Sequence, residues 1–256
     1  MANPRLLIDH PLTAGAEIAL TEAQARHVGL VLRLDAGDGL RVFNAEDGEW
    51  RARVAEKTKR GMRVAIEQKL RDARAAPDLD LLFAPVKRHA TDLIVEKAAE
   101  LGAARIRPVI TQRTIAETVR TDRLSTIARE AAEQTERFDA PEILEPMPLF
   151  KALERWDEAR PLLYADESGD EAGAAWGGQA GRAGPLLEVL GAIGGPSQLA
   201  LLIGPEGGFT PEERRALRAL SFVRPVSLGP RILRAETAVI AALTLIQAQW
   251  GDWRAA

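Results

Sequence analysis

"LLIGPEGGFTPEE", residues 201–213, decides how this chain is read. Leu201, Leu202 and Ile203 run into Gly204, Pro205, Glu206, Gly207 and Gly208. Thr210-Pro211-Glu212-Glu213 then has the form of a helix start: a threonine N-cap, proline at the first helical position, and a glutamate that closes a capping box. A glycine loop between a buried strand and a helix is where open α/β sheets bind ligands. Glycine permits left-handed backbone angles and close approach of the main chain. The loop is neither G-x-G-x-x-G nor the Gly-Lys-Ser/Thr of a P-loop. Glu206 would repel a phosphate, so a neutral or cationic ligand is expected. A tight turn that binds nothing is the alternative.

A second turn lies 25 residues further on, in "SLGPRILRAETAVIAALTLIQAQW", residues 227–250. Gly229-Pro230 follows the short strand "PVSL", and a helix then carries Val239, Leu243, Ile246 and Trp250 on one face, with Gly251 to end it. Two Gly-Pro turns at strand ends can line one pocket. Both Gly204 and Gly229 are expected to be required there by their backbones.

Working back toward the N-terminus, "QLALLI", "PLLYAD", "RIRPVI" and "LDLLFAP" read as buried strands. "TDLIVEKAAELG" places Ile94, Ala98 and Leu101 on one helical face, with Gly102 as its C-cap. A further helix is expected from about Asp122 to Arg137, and a short one around Leu186 to Leu190. Alternating strands and helices imply a mostly parallel α/β sheet. Residues 168–198 carry nine glycines and read as a mobile insertion or a loop plus that short helix. The first 75 residues have another rhythm. Residues 37–70 alternate apolar and polar side chains around the turns Glu46-Asp47-Gly48 and Arg60-Gly61, the pattern of a small antiparallel barrel or sandwich. Thr21 to Gln24 fits a capping box that opens a short helix. With "RDARAAPDLD" as linker, the expected domains are 1–74 and 75–256.

The chain has 256 residues, 46% of them apolar and 28% charged, and can bury a sizeable core. Zero cysteines exclude disulfides, thiolate metal sites and a cysteine nucleophile. His10, His27 and His89 are too few and too scattered for a metal site, and His27 and His89 read as structural. No run approaches the roughly 18 apolar residues of a membrane span. A cytoplasmic protein is expected. Net charge is −3, yet residues 51–74 hold nine Lys/Arg against three acids, a local +6 that can face phosphate or simply be solvated.

Taken together, "LLIGPEGGFTPEE" and "LGPRILRAETA" resemble the SPOUT superfamily of RNA methyltransferases. Within it they resemble the branch that methylates N3 of a uridine in bacterial 16S ribosomal RNA, the ribosomal RNA small subunit methyltransferase E family. "HVGLVLRLDAGDGLRVF" and "VKRHATDLIVEKAAELGAARIRPVITQRT" fit it too, so the resemblance covers nearly the whole chain. One departure is "EQTER" at 133–137, where the family has a small residue at Thr135 and often glycine at Glu136.

The resemblance implies a C-terminal α/β domain with a deep trefoil knot, a small N-terminal PUA-like β-barrel domain, and a homodimer that acts on 16S ribosomal RNA or the small ribosomal subunit. It implies S-adenosylmethionine as cofactor, held by Leu202, Ile203, Gly204, Pro205, Glu206, Gly207, Leu228, Gly229, Ile232, Leu233 and Ala235. Arg234 is the candidate that stabilises charge on the uracil oxygens, with Glu236 or Glu206 to take the proton or orient the base. Arg26, Arg33, Arg60, Arg63, Lys87, Arg88 and Arg231 are the candidate RNA contacts. No metal is expected. Uracil C5 methylation normally needs a thiolate, which this chain lacks. Ribose 2′-O methylation, another base, and a non-catalytic RNA-binding module stay open.

Overall fold

A computed structural model describes residues 4–59, 61–115, 118–171, 173–174 and 177–255. The chain divides into two units: residues 1–75 with 132–140, and residues 76–131 with 141–256.

In the first unit, β1 (Arg5–Leu7), β2 (Glu17–Ala19), β3 (Gly39–Asn44), β4 (Gly48–Thr58) and β5 (Gly61–Arg71) pair in the order β1-β3-β4-β5-β2. Only the β1–β3 pair is parallel. Alternation sets the faces: Val42, Ala52, Val54, Met62, Val64 and Ile66 point into one core, while Arg51, Arg53 and Arg63 face water. The helix α1 (Glu22–Arg26) begins with the expected box, in which the Thr21 hydroxyl accepts from Gln24 N–H and the Gln24 side chain accepts from Thr21 N–H.

Residues 132–140 join this unit through a buried cation. Arg5 donates to Glu49 Oε1 at 2.6 Å and to the carbonyls of Ala132, Glu133 and Arg137, with Phe43 3.9 Å beneath its guanidinium. Burial opposes ionisation of Glu49, but hydrogen bonds from Arg71 and Arg5 outweigh it and hold the carboxyl below its ordinary range. Glu136 stands in the left-handed region at φ 62°. Such an angle favours glycine, the residue that the resemblance leads one to expect here, since only glycine adopts it freely. Here the glutamate pairs with Arg71 at 2.9 Å and Arg41 at 3.6 Å.

The second unit is built on β6 (Leu79–Phe83), β7 (Arg105–Ile110), β10 (Leu162–Ala165), β12 (Leu199–Ile203) and β13 (Val223–Ser227). With the two-residue strands β8 (Glu142–Ile143), β9 (Met147–Pro148) and β11 (Gly184–Pro185), they form a parallel sheet in the order β11-β13-β10-β12-β6-β7-β8, β9 also lying against β7. Every residue of β12 is buried because both faces are covered. Leu199, Leu201 and Ile203 pack with α2 (Arg88–Glu100), α3 (Thr121–Gln134), α5 (Leu186–Ala192) and α7 (Ala235–Gln249). Ala200 and Leu202 pack with α4 (Leu149–Leu153) and α6 (Pro211–Arg218) on the other face. Gly102, at φ 81°, ends α2 as expected. On α7, Val239, Leu243 and Ile246 are buried, and the Trp250 indole donates to the Pro196 carbonyl at 2.7 Å. Among the described residues no helix is long and apolar enough to cross a membrane.

The described part of the glycine-rich segment is a loop followed by the expected short helix α5, and the loop is tied down by charge. Asp166, its side chain 1% exposed, accepts from Arg214 at 2.8 Å and Arg218 at 2.7 Å. The same two arginines donate to the carbonyls of Ser168, Gly169 and Gly181 and reach Asp170. The Glu171 carboxylate accepts from the amides of Gln179 and Ala180 at 2.9 and 2.8 Å. Composition gave no sign of these fixed charges, which bind the described part of the segment to α6.

Candidate active site

The strands β13, β10 and β12 are consecutive in the sheet, so their carboxyl ends lie side by side. The loops after these strands line one cleft. Asp166 and Glu167 come from the end of β10, Gly204, Pro205 and Glu206 from that of β12, and Leu228, Gly229, Arg231, Ile232 and Leu233 from that of β13. Ala235 and Ala238 on the first turns of α7 close it. Ile203, Val226, Leu228 and Leu233 supply apolar walls, while Glu206 is exposed on the rim.

The loops are held from outside the cleft. Thr210 and Glu213 make the expected capping box of α6, and Glu213 Oε1 also accepts from the Gln112 amide at 2.8 Å. Arg113 donates to the Gly207 carbonyl at 2.7 Å. The two glycines expected to matter do so for different reasons. Gly229 has φ 106° with open space around it, so its need is conformational. A Cβ on Gly204 would instead lie 2.5 Å from the Phe209 ring. That ring packs edge-on against Tyr164, 5.0 Å between centroids. A side chain at Gly204 would therefore collide with the packing beside the cleft.

Most expected cofactor residues line the cleft: Ile203, Gly204, Pro205, Glu206, Leu228, Gly229, Ile232, Leu233 and Ala235. Leu202 does not, because strand alternation turns its side chain into the core with Tyr164 and Phe209. Gly207 faces Arg113. Arg234 is the N-cap of α7, exposed, its side chain in no hydrogen bond or ion pair among the described residues. Glu236 sits in the first turn of the same helix, and no described ion pair joins it to Arg234. Asp166 and Glu167 were not among the expected site residues. A partial signal was available, since Asp166 ends the stretch read as a strand in "PLLYAD" and Glu167 follows it.

The candidate RNA residues are scattered in their environments. Arg231 is exposed on the cleft. Lys87 and Arg88 are exposed at the start of α2, where they line a cavity of about 350 Å³ with Arg120 and Arg123. In the first unit Arg26 pairs with Glu22 at 3.1 Å, and Arg33 is exposed at φ 55°. Arg60 lies outside the described residues. The basic run is thinner than its count: Arg53, Lys57, Arg63, Lys69 and Arg71 pair with Glu67, Asp35, Glu17, Asp72 and Glu49. Arg51, Lys59 and Arg74 carry no ion pair among the described residues.

Comparison with known proteins decides the family. Residues 74–247 match an RNA methyltransferase domain, and residues 20–67 match an RNA methyltransferase PUA domain. A ribosomal RNA small subunit methyltransferase E from Rickettsia conorii is 31% identical over 248 residues, 96% of either chain. The chain belongs to the ribosomal RNA small subunit methyltransferase E family. A member from Synechocystis is 32% identical over 249 residues, covering 95% of this chain and 77% of its own. Among solved structures, a putative methyltransferase from Legionella pneumophila in complex with bound SAM superposes at TM-score 0.82 and 31% identity, covering 98% of this chain and all of its own. The small subunit methyltransferase E of Neisseria gonorrhoeae, bound to S-adenosyl methionine, gives TM-score 0.80 at 25% identity over 98% of this chain and 99% of its own. The fold of this family member is thus an RNA methyltransferase α/β domain with a PUA-like β domain before it in the chain. Its cleft is formed by the loops after β10, β12 and β13.

Proposed function

We propose that this chain transfers a methyl group from S-adenosylmethionine to N3 of a uridine in 16S ribosomal RNA of the small ribosomal subunit. The observation that carries the reading is the cleft itself: three strand ends, apolar walls, three carboxylates, and beside it an exposed arginine whose side chain has no partner among the described residues. The donor set fits S-adenosylmethionine. Ile203, Leu228 and Leu233 offer apolar surface to an adenine, the loop backbones offer amides and carbonyls, and Glu167 and Glu206 suit a cationic ligand.

S-adenosylmethionine supplies an electrophilic methyl group on a sulfonium. The protein must orient the uracil and remove its N3 proton. Glu206, on the cleft rim, and Glu236, in the first turn of α7, are the candidate bases. As the proton leaves, charge spreads toward O2 and O4, and a guanidinium aimed there stabilises it. Arg234 has the reach and no competing partner among the described residues. Rigid loops, held by Arg113, Glu213 and Arg214, lower the cost of positioning.

Lys87, Arg88 and Arg231 serve as phosphate contacts on the catalytic unit, and Arg51, Lys59 and Arg74 add to Arg26, Arg33, Arg60 and Arg63 on the N-terminal one. The active form is a cytoplasmic homodimer. The dimer follows from the resemblance alone, and sedimentation at micromolar concentration checks it.

The test is transfer of labelled methyl groups to naked 16S RNA and to assembled small subunits, followed by digestion to nucleosides. Label in 3-methyluridine supports the reading. Label in a 2′-O-methylated nucleoside places the chain with the ribose-modifying enzymes of the same fold, and S-adenosylmethionine binding without transfer leaves an RNA-binding module.

A further inference from the structure

Two carboxylates end β10, and they have different fates. Asp166 is saturated by Arg214 and Arg218, and its negative charge is spent on fixing the neighbouring segment. Glu167, the next residue, lines the cleft, and no described side chain donates to its carboxylate. Its carboxylate lies close to Gly208. Gly208, at φ 65°, lies beneath it so tightly that a Cβ there would stand 2.6 Å from Glu167 Oε1. The glycine pair of "PEGGF" therefore has a role that no local pattern announces: its second member makes room for a carboxylate from another strand.

A half-buried carboxylate without a counter-cation is costly. Burial accordingly raises the Glu167 carboxyl above its ordinary range, and the charge of Asp166 adds to the shift. Such a group becomes fully favourable only when a cation enters the cleft. S-adenosylmethionine brings two positive charges, the sulfonium and the α-ammonium, both absent from its adenosine end.

From this geometry we infer that Glu167 selects the donor by charge, facing the cationic end of S-adenosylmethionine rather than its adenosine end. The inference rests on the reading of the cleft as the donor site. It assigns a specificity role to the β10 strand end, and it leaves the adenosine end to the loops after β12 and β13.

Calorimetry of the full-length protein with S-adenosylmethionine and with 5′-methylthioadenosine separates the two ends. The second ligand keeps adenine, ribose and a methylthio group, and lacks both positive charges. Glu167→Gln removes the charge at nearly constant shape. Its affinity for S-adenosylmethionine should fall about tenfold or more, the size of a lost charge-assisted bond, with 5′-methylthioadenosine affected less than about twofold. Glu167→Asp should recover part of the loss. In the wild type, S-adenosylmethionine affinity should weaken as pH falls and Glu167 takes up its proton, and the Gln variant should lack that dependence. Thermal melts of the free variants check the fold, where loss of an unpaired buried charge should leave the midpoint unchanged or raised. Equal losses for both ligands, or no loss for either, would overturn the role of Glu167 while the cleft reading stands. Wild-type protein that binds neither ligand would remove the cleft reading, and this inference with it.

Discussion

Replacing Asp166 by alanine would test whether the strand end and the glycine-rich segment are held by charge. The Asp166 side chain is 1% exposed and meets Arg214 at 2.8 Å and Arg218 at 2.7 Å, their side chains 12% and 27% exposed. Breaking a buried pair by removing one partner typically costs about 3–5 kcal/mol, because a charge is left without compensation. Two features move this case to the lower end. Arg218 is exposed enough to swing into water, and Asp170 remains near both arginines at 3.1 and 3.4 Å. Asp170 is 53% exposed, so its remaining pairs add little. A loss of about 3 kcal/mol is the expectation, against a total of roughly 5–15 for a folded domain. The variant should therefore fold. Hydrogen exchange along a urea series, followed in peptides that span β10 to α6, reads the second unit by itself. Amides of Gln179 and Ala180 should exchange about a hundredfold faster, since each 1.4 kcal/mol is a factor of ten. A loss below about 1 kcal/mol would mean that the loop is held by its own backbone turns, and would refute the anchoring role of Asp166.

Other outcomes depend on single residues. Gly204→Ala should destabilise the fold by about 1–3 kcal/mol through overpacking on Phe209, whereas Gly229→Ala should weaken S-adenosylmethionine binding with a smaller effect on stability; paired thermal melts and calorimetry read both. Glu136→Ala should lower the melting midpoint more than Glu136→Gly does, because both lose the pairs with Arg71 and Arg41 but only glycine relieves the left-handed backbone. Replacing Arg51, Lys59 and Arg74 together should lower the salt slope of RNA binding by about 0.7–0.9 for each phosphate no longer neutralised, with Arg63→Ala giving less because Glu17 already engages it; filter binding across a salt series decides.

Local signals made much of this architecture readable in the sequence. Capping boxes at Thr21 and Thr210, the C-terminal glycine of α2, and the buried run of β12 each arise from a few adjacent residues. The glycine turns were legible as strand ends because a helix start comes after each of them. What stayed hidden depends on pairings far apart in sequence. Arg5 reaches Arg137 across 132 residues, and Arg214 reaches Asp166 across 48, with no periodicity to mark either. The same holds for Gly204: its conformation is ordinary, and its requirement comes from Phe209 folding back beneath it. Charge counts misled in the same way. The basic run of the first unit is partly neutralised by Glu17 and Asp35, which lie outside it.

The most direct test of the central claim is the modification state of 16S ribosomal RNA in a strain that lacks this protein. Nucleoside mass spectrometry, with the modified position mapped by primer extension, should show one 3-methyluridine lost on deletion and restored by the wild-type chain. Complementation by Arg234→Ala should restore little, and its single-turnover rate in vitro should be lower by roughly 10²-fold or more with S-adenosylmethionine affinity retained. Unchanged 3-methyluridine on deletion would contradict the assignment, and a near-wild-type rate in Arg234→Ala would remove Arg234 from the chemistry.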